Sequence, residues 1–399
     1  MAIADVTVRD GALRTDTVNT SGIPIDMEPH TKDLVPNRYT TRAMVRKFGN
    51  TVMADSMEHK YRERRPIPNW TTISVADAIG QTNIEVADPT YIQDDHVLWI
   101  VRNGKVLMQL LVQDTDINAT VAVVVLSGTT GSGALTVATE VNDIVVIGPE
   151  AHAEGEAVPD PYTNISTNKT DYLMQVDRAV KKTDIESHQG HYDSGEKQLA
   201  KDRKFAWIET MIKLNLCLYF GYQTKESTSA SRNRYVFNGL FNRLTENVEN
   251  YAGVGSGFTQ QGLQEIIRKV TDEGPAGGNP VFVVGANINN HISSWPDGSV
   301  RVSPEAKKWG MKINTIQTQY GDVDLVYDNV LNAKYGVADR GVILEQSRVR
   351  QMNLRGLPVR IYANIEANRD IHNKEDGISG TWGIQASGLE CFAQVKGVN

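Results

Sequence analysis

The histidines at 188 and 191 stand between the carboxylates of Glu186 and Asp193 in the run ESHQGHYD. Imidazole nitrogen and carboxylate oxygen are zinc ligands, so this stretch could hold a metal and activate water. A catalytic zinc helix usually spaces its histidines one helical turn apart with an acid beside them. Here Gly190 separates them just ahead of a helix. The stretch reads as a polar turn, with a zinc-dependent hydrolase using His188 and His191 as the alternative. Gly128–Gly133 (GTTGSG) has the glycine density of a phosphate loop but lacks the Gly-Lys-Ser/Thr ending and a following helix. Gly253–Gly257 (GVGSG) precedes a helix but has no dinucleotide-fold strand feeding it. Both read as loops. Asp55, Glu58, Glu63, Asp77 and Glu85 show no pairing suited to acid–base work. No Ser, Cys or Thr stands in a nucleophile-elbow context. Cys217 and Cys391 lie in apolar runs and read as reduced core thiols. The expectation is no catalytic residue, no metal and no cofactor.

What remains is charge and shape. Arg38, Arg42 and Arg46 recur four apart on one face of a short helix. Arg62, Arg64 and Arg65 follow in a densely charged run. Such residues serve either as contacts to nucleic acid or an acidic neighbouring subunit, or as a solvated face. The net charge of −7 gives no overall reason to expect nucleic-acid wrapping. No apolar run is long enough to span a bilayer, and the first residues lack a signal-peptide core. Folding in a cytoplasm, without a membrane partner, is therefore expected.

The elements that would position these residues are organised around Asp193–Phe220. Asp193 and Glu196 make a capping-box pattern. Phe205, Ile208, Ile212, Leu216 and Tyr219 form one apolar stripe; Trp207, Met211, Leu214 and Leu218 form another. The distal half of the helix is expected to be buried nearly all round. Residues 1 to about 36 read as an extended arm. The polar run 50–70, ended by Pro66 and Pro68, reads as a projecting β-arm. Between 72 and 159 short β-prone runs alternate with turns: Thr82–Val86, His96–Val101, Lys105–Val112, Thr120–Leu126 and Asp143–Ile147. Asn103-Gly104 is a type I′ hairpin signal between two of them. Beyond the long helix, Thr259 caps a helix, Pro280–Val284 is a buried strand, and a helix runs through Ile288–Trp295. Strands are expected at Lys312–Thr318, Val323–Tyr327, Gly336–Asp339, Gly341–Glu345, Val349–Leu354, Val359–Ala363 and Thr381–Val395. The class is α+β.

This order of parts resembles the major capsid (major head) protein family of tailed double-stranded DNA bacteriophages. The resemblance is carried by Lys169–Gly221, similar to a strand leading into a spine helix, and by Tyr235–Val248. Val281–Trp295 with Lys312–Asn332 resembles an axial strand, helix and hairpin, and Thr381–Val398 resembles closing peripheral strands. It implies an arm over 1–49, extended-loop strands over 50–71 and 160–168, and an inserted small all-β domain over 72–159. It further implies a peripheral domain over 169–234 with its spine helix at 193–220, an axial domain over 235–340, and closing strands over 341–399.

The function so implied is self-assembly into pentamers and hexamers that close an icosahedral head around packaged DNA. The partners would be further copies, a portal, scaffold or decoration proteins, and double-stranded DNA bound without sequence specificity. Arg38, Arg42, Arg46, Arg62, Arg64 and Arg65 would be the subunit or DNA contacts. Some relatives weld subunits through a Lys–Asn bond. Lys60 and Lys105 lie where the loop lysine would fall, but no partner Asn or Glu is identified, and no crosslink is expected. A tail or fibre protein is a further alternative, against which the mid-chain helix and the absence of repeats count.

Overall fold

The computed structural model describes residues 40–49, 51–115, 120–125, 134–152, 154, 166–183, 198–227, 233–253, 257–275, 278–295, 301–308, 311–363, 365 and 373–398. The chain divides into two units: Met1–Lys60 with Thr170–Asn399, and Tyr61–Lys169.

In the first unit, helices α1 (Thr40–Lys47) and α2 (Gln198–Phe220) pack with a sheet into one apolar core. α2 has 23 residues and spans ~34 Å at ~1.5 Å per residue. Ala206, Thr210, Met211, Leu214, Asn215, Leu218 and Tyr219 are its buried positions. They fall on one face at helical spacing. Phe205, Ile208, Ile212 and Leu216 are only half-buried, and Phe220 is exposed. The helix is therefore covered on one side, not nearly all round as its composition suggests. Asp193 and Glu196 lie outside the described residues.

The sheet beside α2 has five strands. Thr51–Ala54, Val349–Leu354, Asn373–Ala386 and Met174–Thr183 lie in that order, and Arg360–Tyr362 also pairs with the long strand. Ion pairs tie α2 to it: Lys182 to Asp202 at 2.9 Å, Arg203 to Asp376 at 3.5 Å, and Arg178 to Glu209.

A seven-stranded mixed sheet is the larger sheet of this unit. Its order is Val248–Asn250, Ala393–Lys396, Gly341–Glu345, Pro280–Val284, Gly321–Tyr327, Met311–Thr318 and Arg301–Lys308. The alternation of strand side chains sorts this sheet's residues between two cores. Val281, Val283, Val342 and Leu344 join the core of α1 and α2. Phe282, Val284, Ile343 and Leu325 face a second core with helices α4 (Gln260–Asp272) and α5 (Ala286–Ser294). Before them stands the short helix α3 (Leu240–Arg243). Thr259 Oγ1 accepts a hydrogen bond from Gly262 N at 3.1 Å, the side-chain cap its position predicts.

The second unit holds a closed barrel whose strands run in the order Trp70–Val75, Asn83–Val86, Thr120–Val125, Lys105–Thr115, His96–Arg102 and Ile144–Glu150. Ile73, Ile84, Leu98, Ile100, Leu110 and Val145 fill its interior. Closure leaves no free strand edge. At Asn103 and Gly104 φ is 51° and 75°, the left-handed pair that a type I′ hairpin requires. The chain passes between the units along Glu58–Glu63 and Thr167–Tyr172, which form a two-stranded ribbon.

Several elements differ from the sequence reading. Thr51–Ala54, read as part of a charged arm, pairs parallel with Val349–Leu354. Gly336–Asp339 is not a strand; a 3-10 turn at Ala333–Tyr335 ends on left-handed Gly336. Thr381–Val395 is divided: the long strand ends at Ala386, Gly388 turns the chain, and Ala393–Lys396 joins the other sheet. With Gly341–Glu345 also in the seven-stranded sheet, residues 341–399 do not all close the sheet beside α2.

Candidate functional site

Among the described residues no titratable cluster is arranged as an active site would be; a buried junction at the start of α1 is the polar site they hold instead. The first turn of a helix leaves backbone N–H groups without intrahelical partners. α1 has no acidic residue in its own first turn to meet them. Asp328, just after the strand Gly321–Tyr327 and fully buried, supplies the carboxylate from a distant part of the chain. Its Oδ2 accepts from Thr41 N at 3.2 Å, Thr41 Oγ1 at 2.6 Å, Asn215 Nδ2 at 3.1 Å and Tyr219 Oη at 3.0 Å. Its Oδ1 accepts from Val330 N at 3.0 Å. The next N–H of α1, from Arg42, donates to Asn215 Oδ1 at 3.0 Å.

The helix is thus capped by side chains of α2 and the seven-stranded sheet, with the carboxylate at the positive end of the helix dipole. Thr41 Oγ1 and Tyr219 Oη lie 2.6 Å apart, so these hydroxyls and Oδ2 form a triangle with two protons to share. Burial first, then the Asp328 charge, pushes the Tyr219 phenol well above its ordinary value, which keeps it a donor.

The arginine stripe divides at this junction. Arg42 is only 8% exposed, and its guanidinium stacks 5.4 Å from the ring centroid of Trp382. Burial, helped by Arg46, lowers its pKa to about 10, so it stays charged at neutral pH. Arg42 is therefore neither a surface contact nor part of a solvated face. α1 is wedged between α2 and the sheets, and only its last turn, at Arg46 and Lys47, reaches solvent. Arg38 lies outside the described residues. Arg62, Arg64 and Arg65 are exposed on and beyond the ribbon strand Glu58–Glu63. Of these arginines, Arg42 is inside the first unit, and Arg62, Arg64 and Arg65 belong to the second.

A second buried charge supports the same core. Arg243 of α3 binds Asp171 through both nitrogens, at 2.5 and 3.0 Å, with each side chain 5% exposed. Neither Asp328 nor Asp171 carried a sequence signal beyond an acid near an apolar run. His188, His191, Glu186, Asp193 and the GTTGSG loop lie outside the described residues. Cys391 is buried and Cys217 half-buried, and burial raises the Cys217 thiol, which makes it a poor nucleophile. Lys60 and Lys105 are exposed.

The model of the SU10 major capsid protein family matches residues 18–394. The chain belongs to that family. It is a structural protein of the virion that self-assembles into the head shell, and it is not an enzyme. The resemblance drawn from Lys169–Gly221 and the later stretches is thereby borne out, and the hydrolase and fibre readings fall.

No curated protein sequence matches this capsid protein. Among solved structures, the capsid of a native GTA particle is 10% identical, with 97% of this chain and 100% of that chain covered and a TM-score of 0.47. The capsid of Myoviridae phage XM1 is 8% identical, with 98% and 100% covered and a TM-score of 0.44. The holo-SrpI encapsulin complex of Synechococcus elongatus PCC 7942 is 12% identical, with 59% and 78% covered and a TM-score of 0.41. At these scores the likeness carries no weight beside the family match.

Proposed function

We propose that copies of this chain form pentamers and hexamers that close into an icosahedral head around double-stranded DNA. Assembly takes place in the cytoplasm of the host bacterium, with a portal and scaffold or decoration proteins as partners. The observation that carries this reading is the family match over nearly the whole chain. The junction at Asp328 supports it physically. Locking α1 to α2 and to the residue after the strand Gly321–Tyr327 gives the first unit a rigid base.

The subunit contacts fall to the exposed Arg62, Arg64 and Arg65, with Arg46 on the end of α1. Arg38, of which the structure says nothing, stays a candidate on sequence alone. Exposed guanidinium groups on a ribbon can reach carboxylates of a neighbouring copy or, without sequence preference, DNA phosphate. Sedimentation and electron microscopy of the chain expressed in bacteria test the reading. Closed shells, or rings of five and six, are the expected result. A chain that stays monomeric even alongside its scaffold and portal would refute it.

A further inference from the structure

The barrel has an outward face that the described residues of its own unit leave uncovered. Four of its strands lie side by side in the order Trp70–Val75, Ile144–Glu150, His96–Arg102 and Lys105–Thr115. Their register sets two rows across them: Trp70, Val146, Trp99 and Gln109, and beside it Thr72, Ile144, Val101 and Val106. Both rows point away from the interior, because the row between them (Thr71, Val145, Ile100 and Met108) is buried. Trp70 is 58% exposed, Val106 54% and Ile144 44%, while Trp99, Val146 and Val101 are half-buried. Trp99 lies over Gly148, where an added Cβ would sit 2.6 Å from its ring. The glycine lets the indole lie flat and keeps the face level.

Scattered exposed apolar residues need no explanation, whereas a contiguous apolar patch of a few hundred Å² is often functional. Tryptophan at the centre of a patch is typical of residues that dominate protein contacts. We propose that this face is a contact between copies of the chain in the assembled shell, each barrel packing against the same face of a neighbour. The proposal rests on the shell-forming function and adds the surface and its partner.

Size and charge point to a second copy. Strands ~4.8 Å apart and rows ~7 Å apart make a patch of roughly 250–300 Å² once side chains are included. Two such faces bury roughly 500–600 Å², well under the ~1,200 Å² at which a stable pair begins. The contact is too small to dimerise the free chain, yet it recurs at every barrel of a shell. The hairpin end of the face carries both signs, with Lys105 and Glu140 exposed and Glu140 paired to Arg102 at 2.8 Å. Because each copy carries both signs, a two-fold arrangement can set Lys105 of one copy against Glu140 of the other and the reverse, so the face is compatible with itself. Largely apolar, and with charges of both signs at its border, it lacks the concentrated positive charge that DNA needs.

The test compares shells of the unaltered chain with those of a Trp70→Glu, Val106→Glu double variant. Both positions are more than half exposed, so the free variant should keep the wild-type circular dichroism and melting curve. Shell yield by sedimentation is expected to fall at least tenfold. An Ile144→Cys variant near the middle of the face should give dimers with a short bis-maleimide in shells but not in the free chain. The unaltered chain, with Cys217 half-buried and Cys391 buried, is the blank. Wild-type assembly of the double variant, no dimer in Ile144→Cys shells, or a cryo-EM map with the face open or covered by a different protein would overturn the proposal. Failure of the unaltered chain to form shells strikes the functional reading itself, and this contact with it.

Discussion

The junction around Asp328 and the barrel of Trp70–Glu150 are stabilised by opposite means. At the junction, elements far apart in sequence meet through one buried carboxylate and its donors from Thr41, Asn215, Tyr219 and Val330. In the barrel, strands close in sequence meet through an aliphatic interior, with the buried Asp143 paired to Arg102 at 2.7 Å. A hydrogen-bonded cluster adds modest net stability but is costly to break, because every orphaned donor stays buried. An aliphatic core loses stability in proportion to what is cut away. The junction is thus specific and brittle, and the barrel is graded.

Replacing Asp328 should break the comparison most sharply. Asp328→Ala leaves the Thr41 N–H and the Asn215 and Tyr219 side chains buried without this acceptor, at an expected cost of ~3–5 kcal/mol. Hydrogen exchange under mild urea should show that loss in α1 and α2 while the barrel amides keep their protection. Asp328→Asn should cost less, since the shape stays. The reverse experiment is Ile100→Ala, which hollows the barrel and should cost ~2–4 kcal/mol with the first unit unmoved. Equal losses in both units from either change would erase the distinction drawn here.

Smaller effects sharpen the picture within the barrel. Gly104→Ala meets no atom within 4 Å but keeps a φ of 75°, so its cost, about 1 kcal/mol, is purely conformational. A chemical-denaturation midpoint unchanged by this substitution would contradict the I′ geometry. The smallest expected effect is a pH slope. Burial, only partly offset by Glu150, lowers the pKa of His96 below the ordinary imidazole value. The unfolded chain then takes up its proton first, so barrel stability is intact above pH ~6.5 and declines as pH falls below it. His96→Gln should flatten that decline; an unchanged slope would place its origin elsewhere.

Much of the fold was legible because its signals are local. Asn103-Gly104 specifies its hairpin through backbone conformation alone, and the flanking runs matched strands to within a few residues. Thr259 caps α4 through its own hydroxyl. Trp70–Val75 was missed because its exposed face carries Trp70, which blurs the alternation of a half-buried strand. The run Thr381–Val395 was read as one strand because nothing apolar in it marks the break; the left-handed Gly388 does. The site was less legible than the fold. Arg42 shares its spacing with Arg46, and four-residue spacing says which face a residue is on, not what covers that face.

The sequence alone determined the class, the long helix, the hairpin of the barrel, and a family resemblance spread over many weak stretches. These follow from periodicity, caps and turns, which act over a few residues. That α1 is capped by Asp328, 287 positions along the chain from Thr41, was settled only by how the folded chain packs. The same packing buried Arg42 over Trp382 and aligned Trp70, Val146 and Trp99 across three strands into one outward-facing row. Each of these depends on register and packing between distant segments, and no local pattern of residues encodes which distant group will arrive.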